Sequence, residues 1–185
     1  LFVSIFYGIA IIWERDLGLT HKFLATPTPR NALVLGKAIS AGIRCIPLML
    51  IIYILAALLS VHIVWNPINI TGIIFLLLLG AILFSTFSLI IACLVKTRER
   101  FMGIGQLMTM PLFFASNAIY PINIMPGWLK LIAHFNPLTY MIDGMRLLMI
   151  GTPSVYSLSI DYTVLAISST ILILIGGKLY ERVII

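Results

Sequence analysis

One long apolar run constrains the fold of this chain more than any other feature. Residues 71–95 carry no charged side chain, and a helix of that length rises about 38 Å, more than the roughly 30 Å of a bilayer's hydrocarbon core. Further spans are predicted at 29–65, 101–119 and 158–177. Only 10% of the residues are charged and 61% are hydrophobic, whereas soluble domains carry about 25% charged residues. The sequence predicts an all-α, polytopic membrane protein folded as a helical bundle.

Residues 1–12 form a shorter apolar run. A helix of this length rises about 18 Å, which is too short to cross the hydrocarbon. The run lacks the basic start and the small-residue cleavage site of a signal peptide. We therefore expect it to be the end of a spanning helix whose start precedes this chain, within a single transmembrane domain that covers residues 1–185.

The longest polar segment, residues 13–28, precedes the predicted span at 29–65. Leu17 and Leu24 fall on one helical face, and Phe23 lies beside them. A proline then stops the helix, because proline lacks an N–H and the residue before it avoids the α region. The pattern predicts a short amphipathic helix over residues 14–25, outside the membrane. A solvated loop is the alternative interpretation.

Four prolines divide residues 120–156 into pieces that are too short to span a bilayer. The pattern predicts one short helix at 126–135 and a second at 138–150. Asn136, followed by proline, is a signal for the start of a helix, and Gly151 is a signal for its end. At about 13 residues, the second helix is expected to be interfacial or re-entrant.

Two opposite charges lie in the second of these short helices. Asp143 and Arg146 are three positions apart, so they fall on one face of the helix. This spacing predicts a local ion pair that makes a charged helix tolerable near lipid. A gate or a substrate contact is the alternative role for the two residues.

The basic residues predict the orientation of the chain. Lys130 and Arg146 fall on one side of the predicted topology, and the other ten basic residues fall on the opposite side. These ten are Arg15, Lys22, Arg30, Lys37, Arg44, Lys96, Arg98, Arg100, Lys178 and Arg182. By the positive-inside rule, the polar segment is cytoplasmic and the short helices are outside.

Motifs for several kinds of chemistry are missing from the sequence. It contains no P-loop, no H-E-x-x-H and no G-x-S-x-G. Cys45 and Cys93 lie in apolar runs, and the three histidines are far apart in the sequence, so we expect no metal site, no cofactor and no catalytic residue. No basic patch interleaved with aromatic residues suggests nucleic acid as a partner.

Two motifs carry a resemblance to a known family. Residues 13–30, W-E-R-D-L-G-L-T-H-K-F-L-A-T-P-T-P-R, resemble the cytoplasmic segment of the ABC-2 type transporter permeases. Residues 111–129, P-L-F-F-A-S-N-A-I-Y-P-I-N-I-M-P-G-W-L, and residues 136–146, N-P-L-T-Y-M-I-D-G-M-R, resemble the second signature of the same family, which is the more specific one. The order of motifs and spans matches over nearly the whole chain.

The resemblance implies a permease subunit in the plasma membrane, with six spans per permease, in an ATP-binding-cassette exporter. It implies a second permease copy or a paralogue, and two separate ATPase subunits that hold ATP and magnesium. Residues 14–25 would be a coupling helix that contacts an ATPase, with apolar anchors and a polar rim. The anchors would be Leu17 and Leu24 flanked by Phe23, and the rim would be Glu14, Arg15 and Asp16.

The family's drug and antibiotic exporters are the most similar in character. The chain departs from the family at residues 20–22, where T-H-K replaces an acidic stretch. The alternative function is an ATPase-independent membrane transporter or a membrane sensor. Secondary transport would require a carboxylate inside the membrane, and the sequence places Asp143 and Asp161 outside. A membrane enzyme is disfavoured by the missing motifs.

Overall fold

The computed structural model describes residues 1–19, 29–95 and 97–180, without the side chain of Arg30. These residues form helices and connecting segments. The α-helices are α1 (Phe2–Phe6), α2 (Gly8–Asp16), α3 (Arg30–Leu58), α4 (Pro67–Leu94), α5 (Arg98–Phe114), α6 (Gly127–Phe135), α7 (Pro137–Ile150) and α8 (Leu158–Leu179), and a 3₁₀ turn lies at Ile122–Ile124.

Two of the long helices begin earlier than predicted because a side chain caps each start. At α4, the Asn66 side chain accepts a hydrogen bond from Ile68 N at 3.0 Å, and proline occupies the first helical position. At α5, Thr97 Oγ1 accepts from Arg100 N at 3.4 Å. The apolar pattern alone placed these starts three to four residues too late, because polar capping residues do not contribute to it.

The two short helices α6 and α7 match the predicted bounds to within one residue. Asn136 Oδ1 accepts from Leu138 N at 3.0 Å and starts α7. Gly151 ends α7 with a φ of 75°, a left-handed conformation that glycine adopts readily. The location of α6 and α7 relative to the membrane stays a prediction.

Helix α4 lies at the centre of the bundle. It packs against α1, α2, α3, α7 and α8, and its side chains Leu76, Phe84 and Leu89 are buried. Gly80 allows α7 to come close, since a Cβ atom at this position would lie 2.8 Å from Met141 Cε. These five helices are therefore arranged around one largely apolar helix.

Among the residues that the structure describes, three helices are long and apolar enough to cross a membrane: Asn31–Leu58, Pro67–Leu94 and Leu158–Leu179. On α3, the apolar side chains of Leu50 and Ile54 are more than half exposed, as expected of a surface that faces lipid. Helix α5 has 17 residues, which is about 26 Å, and it ends before the predicted boundary at 119. The described chain is an all-α, polytopic membrane protein, and the span predicted at 101–119 stays a prediction.

Candidate functional site

The junction between α1 and α2 is held by one buried serine of α4. Ser88 Oγ accepts a hydrogen bond from Gly8 N at 3.1 Å and donates one to Ile5 O. Gly8 lacks the side chain that would prevent this approach, because a Cβ atom there would lie 2.7 Å from Phe101 Cζ of α5. These contacts fix the direction in which α2 leaves the core.

The last turn of α2 binds three different parts of the bundle. Glu14 forms an ion pair with Lys37 of α3. Arg15 Nη1 donates to Val95 O, at the end of α4, at 3.2 Å. Asp16 Oδ2 accepts from Arg98 Nη2 of α5 at 2.8 Å. We call Glu14, Arg15 and Asp16, with their partners Lys37, Val95 and Arg98, the anchoring cluster.

Two aromatic contacts extend the anchoring cluster. The Arg98 guanidinium lies 5.1 Å from the centre of the Trp13 ring, and the Lys37 ammonium lies 5.7 Å from the centre of the Tyr180 ring. Both distances suit cation–π attraction. Since Tyr180 follows the last residue of α8, the end of this helix also contacts the cluster.

The anchoring cluster corrects the prediction for the first part of the polar segment. Glu14, Arg15 and Asp16 were expected to begin a short helix, but they end α2 and bind other helices of the chain. Asp16 remains exposed, and the role of the three residues as a rim toward an ATPase stays a prediction. Helix α2 ends at this point: Leu17 N donates a hydrogen bond to Trp13 O at 2.9 Å, and Gly18 has a φ of 70°. A glycine after a helical pattern is the sequence signal for this end.

The apolar anchors predicted for the polar segment are only partly described. Leu17 directly follows the last turn of α2, and this residue is 72% exposed. Phe23 and Leu24 lie outside the described residues. The structure thus offers one exposed leucine at the point where the described part of the segment leaves α2.

At the opposite end of the bundle, Asp143 and Arg146 have separate partners. The buried Asp143 carboxyl accepts from Val155 N at 2.8 Å and from Tyr156 N at 2.9 Å. Arg146 Nη2 donates to Ala118 O at 3.1 Å. In the described part of the chain these two residues do not form the predicted ion pair, because backbone groups from two different connecting segments reach them instead.

The corner between α6 and α7 is tied to the neighbouring segments. Asn136 Nδ2 donates to Leu112 O of α5 at 2.7 Å. The Tyr156 ring lies 4.8 Å from the Tyr140 ring and 5.8 Å from the His134 ring, measured between centroids. Burial raises the pKa of Tyr156 to about 12, and the nearby Tyr140 and Asp143 act in the same direction. Tyr156 is therefore a neutral phenol over the physiological pH range.

One further residue is Asp161, which the sequence places outside the membrane. It occupies the first turn of α8 and is fully buried among the helices, and its location relative to the membrane stays a prediction. The helical pattern gave no signal for this burial, which depends on the close approach of α7. The described residues contain no group of three or more histidine, cysteine or acidic side chains that could hold a metal ion.

Together, the apolar helices and their polar ends define a multi-pass, all-helical membrane protein. Residues 1–150 match the ABC-2 type transporter family. The chain therefore belongs to this family, as the two sequence motifs indicated.

Curated relatives of the chain are named as transport permeases. It is 27% identical over 186 residues to the transport permease ycf38 of Cyanophora paradoxa, covering 96% of this chain and 64% of that protein. It is 26% identical over 182 residues to the inner membrane transport permease YadH of Escherichia coli strain K12, covering 97% and 66%.

The name of a third relative refers to resistance to a drug. The chain is 22% identical over 150 residues to the daunorubicin resistance ABC transporter permease protein DrrB1 of Streptomyces coeruleorubidus, covering 81% of this chain and 53% of that protein. The chain thus spans between about half and two thirds of the length of these relatives. No solved structure matches it.

Proposed function

We propose that this chain is part of the transmembrane permease subunit of an ATP-binding-cassette exporter. The permease forms the path of the substrate together with a second copy or a paralogue. Residues 14–25 couple it to a separate ATPase subunit, which holds ATP and magnesium. Membership of the ABC-2 type transporter family and relatives named as permeases support this assignment.

The observation that carries the coupling proposal is the anchoring cluster. Three consecutive residues, Glu14, Arg15 and Asp16, bind α3, the end of α4 and the start of α5. A displacement applied just beyond them therefore acts on three helices at once. The pair of Glu14 with Lys37 transmits this displacement best, since its side chains are only 29% and 14% exposed and burial limits screening by solvent.

Contact with the ATPase itself requires an exposed apolar anchor. Short helices dock into grooves through a few apolar side chains, while charged residues at the rim set the register. Leu17 fits the role of an anchor because it is exposed and adjoins the anchoring cluster. Leu24 is proposed as the second anchor, with Phe23 beside it.

The test is co-purification of the ATPase subunit with the full-length permease and its Leu17→Asp and Leu24→Asp variants. We expect normal membrane insertion, because the positive-inside rule predicts that residues 14–25 lie outside the hydrocarbon. We expect loss of the ATPase and of transport, because burying an unpaired carboxylate costs roughly several kcal/mol. A solvated loop predicts that both variants retain the ATPase fully.

Leu131→Asp is the matched control for this test. Leu131 is 64% exposed, and it lies on α6, away from the anchoring cluster. The substitution makes the same chemical change at an exposed leucine, so this variant should retain the ATPase. Loss of the ATPase from all three variants would indicate general damage to the permease and would contradict the coupling role.

Asp161 lies buried in the first turn of a helix that is long and apolar enough to span a membrane. This position favours the alternative function, an ATPase-independent transporter, because ionisable groups in spanning helices commonly carry protons or ions. The same co-purification distinguishes the two functions. A wild-type permease that purifies without an ATPase, and transports without ATP, would support the alternative.

A further inference from the structure

The strongest unassigned feature is the burial of a carboxyl group without a partner. Asp161 is 0% exposed, and neither of its carboxyl oxygens has a hydrogen-bond partner among the described residues. Gly144 of α7 lies directly opposite, since a Cβ atom on it would be 3.2 Å from Asp161 Oδ2 and 2.8 Å from Leu76 Cδ1. Helices α4, α7 and α8 therefore enclose this carboxyl group.

The groups that face Asp161 provide no positive charge. Helix α7 contributes Asp143 and Tyr140, the segment before α8 contributes Tyr156, and α8 itself contributes Tyr162. These are one further carboxyl group and three phenols. Asp143 brings a second carboxyl group close to Asp161, so a negative charge on Asp161 is even less favourable unless a cation or a proton neutralises it.

Other candidate partners point elsewhere or lie at the other end of the bundle. The guanidinium of Arg146 donates to Ala118 O. The only titratable side chain in the sequence of α4 is Cys93, near the end of the helix that adjoins the anchoring cluster. No cation within the described residues compensates Asp161.

An isolated carboxylate in a dry interior is too costly to persist. Either a cation or a proton must neutralise it. A metal ion needs about four to eight ligands, but no cluster of three ligating side chains exists in the described chain. The Asp143 carboxyl already accepts hydrogen bonds from Val155 N and Tyr156 N. Gly144 and Leu76 leave little room beside Asp161, whereas a proton needs no coordination shell.

We propose that Asp161 is a proton-binding site that is occupied when α7 packs against α8. As the two helices close, a carboxylate oxygen of Asp161 takes a proton from a hydronium ion of the solvent, whose O–H bond breaks and leaves a water molecule that is expelled. When the helices separate, water enters and accepts the proton from Asp161. Acidification therefore favours the closed arrangement of α7 and α8. The site depends neither on an ATPase nor on the direction of transport.

Infrared spectroscopy of the full-length protein in lipid nanodiscs tests this site directly. At neutral pH, the wild-type protein should show the C=O stretching band of a protonated carboxylic acid. Asp161→Asn should remove this band, and Asp143→Asn should retain it. A spectrum that is unchanged by Asp161→Asn, or a band lost only with Asp143→Asn, would overturn the proposal.

The pH dependence of unfolding is a second readout. The folded site holds a proton that an unfolded aspartate releases above about pH 4, so the folded state loses stability as the pH rises. The folding equilibrium constant of the wild type, divided by that of Asp161→Asn, should fall tenfold per pH unit. The fall begins above about pH 4 and ends at the pH at which the folded site releases its proton. Equal pH dependence of the two proteins would contradict proton binding.

Two further measurements distinguish a bound proton from the other outcomes. If Asp161→Asn does not fold, aspartate-specific ¹³C labelling of the wild type should shift the carboxylic-acid band, and an absent shift would exclude a protonated aspartate. Sodium, potassium and calcium are compared at constant ionic strength. Equal stability in all three supports the proton, and stabilisation by one of them would replace it with a metal cation.

Discussion

Asp143 and Arg146 give the sharpest prediction about stability, because the structure reverses the expectation from sequence. Asp143→Ala removes the acceptor for Val155 N and Tyr156 N. Hydrogen bonds to charged groups contribute about 1.5–3 kcal/mol each, and the lower value applies because water reaches this segment. The expected cost is about 3 kcal/mol. Arg146→Ala removes one such bond, to Ala118 O, and should cost about 1.5 kcal/mol.

A double-mutant cycle measures whether these two losses are coupled. Since the side chains share no partner, the double variant should lose about 4.5 kcal/mol, with an interaction energy below about 0.5 kcal/mol. The assay is the unfolding equilibrium in mixed detergent micelles, followed by circular dichroism. A cycle of Glu99→Ala with Arg146→Ala, at opposite ends of the bundle, serves as the control. An interaction energy above about 1 kcal/mol for Asp143 and Arg146 would restore the ion pair and refute the structural assignment.

Two further predictions concern the basic end of the bundle and the topology. Glu14→Lys should destabilise the protein by about 1–3 kcal/mol, since its pair with Lys37 is partly buried. Combining it with Lys37→Glu should recover part of the loss, and no recovery would argue against a specific pair. In a background without native cysteines, an impermeant thiol reagent on intact cells should label a cysteine at Lys130 but not one at Lys22. Labelling at position 22 alone would reverse the predicted orientation.

The parts of the fold that sequence could predict are those set by local chemistry. The start of α7 at Asn136 and its end at Gly151 follow from capping rules that need only neighbouring residues. The same rules explain the start of α4 after Asn66 and the end of α2 before Gly18, but the apolar pattern had been given more weight at both positions. At both positions the capping residues, rather than the periodicity of the apolar side chains, determine where the helix begins or ends.

The candidate sites were less predictable because their contacts are distant in sequence. Arg15 and Val95 are 80 residues apart, and Asp16 and Arg98 are 82 residues apart. The burial of Asp161 depends on the missing side chain of Gly144, which lets α7 come close. No periodicity within one helix encodes such a contact, since it requires the packing of several helices.

The central position of α4 has a consequence for how the protein is made. Its neighbours α1, α2 and α3 precede it in the sequence, whereas α7 and α8 follow it. Chains are synthesised from the amino terminus at about 5–20 residues per second, so α4 can bury one side against the earlier helices before α8 exists. Its other side, which includes Gly80, stays uncovered for several seconds. During that interval a nascent chain exposes this surface to lipid, to the insertion machinery and to neighbouring chains.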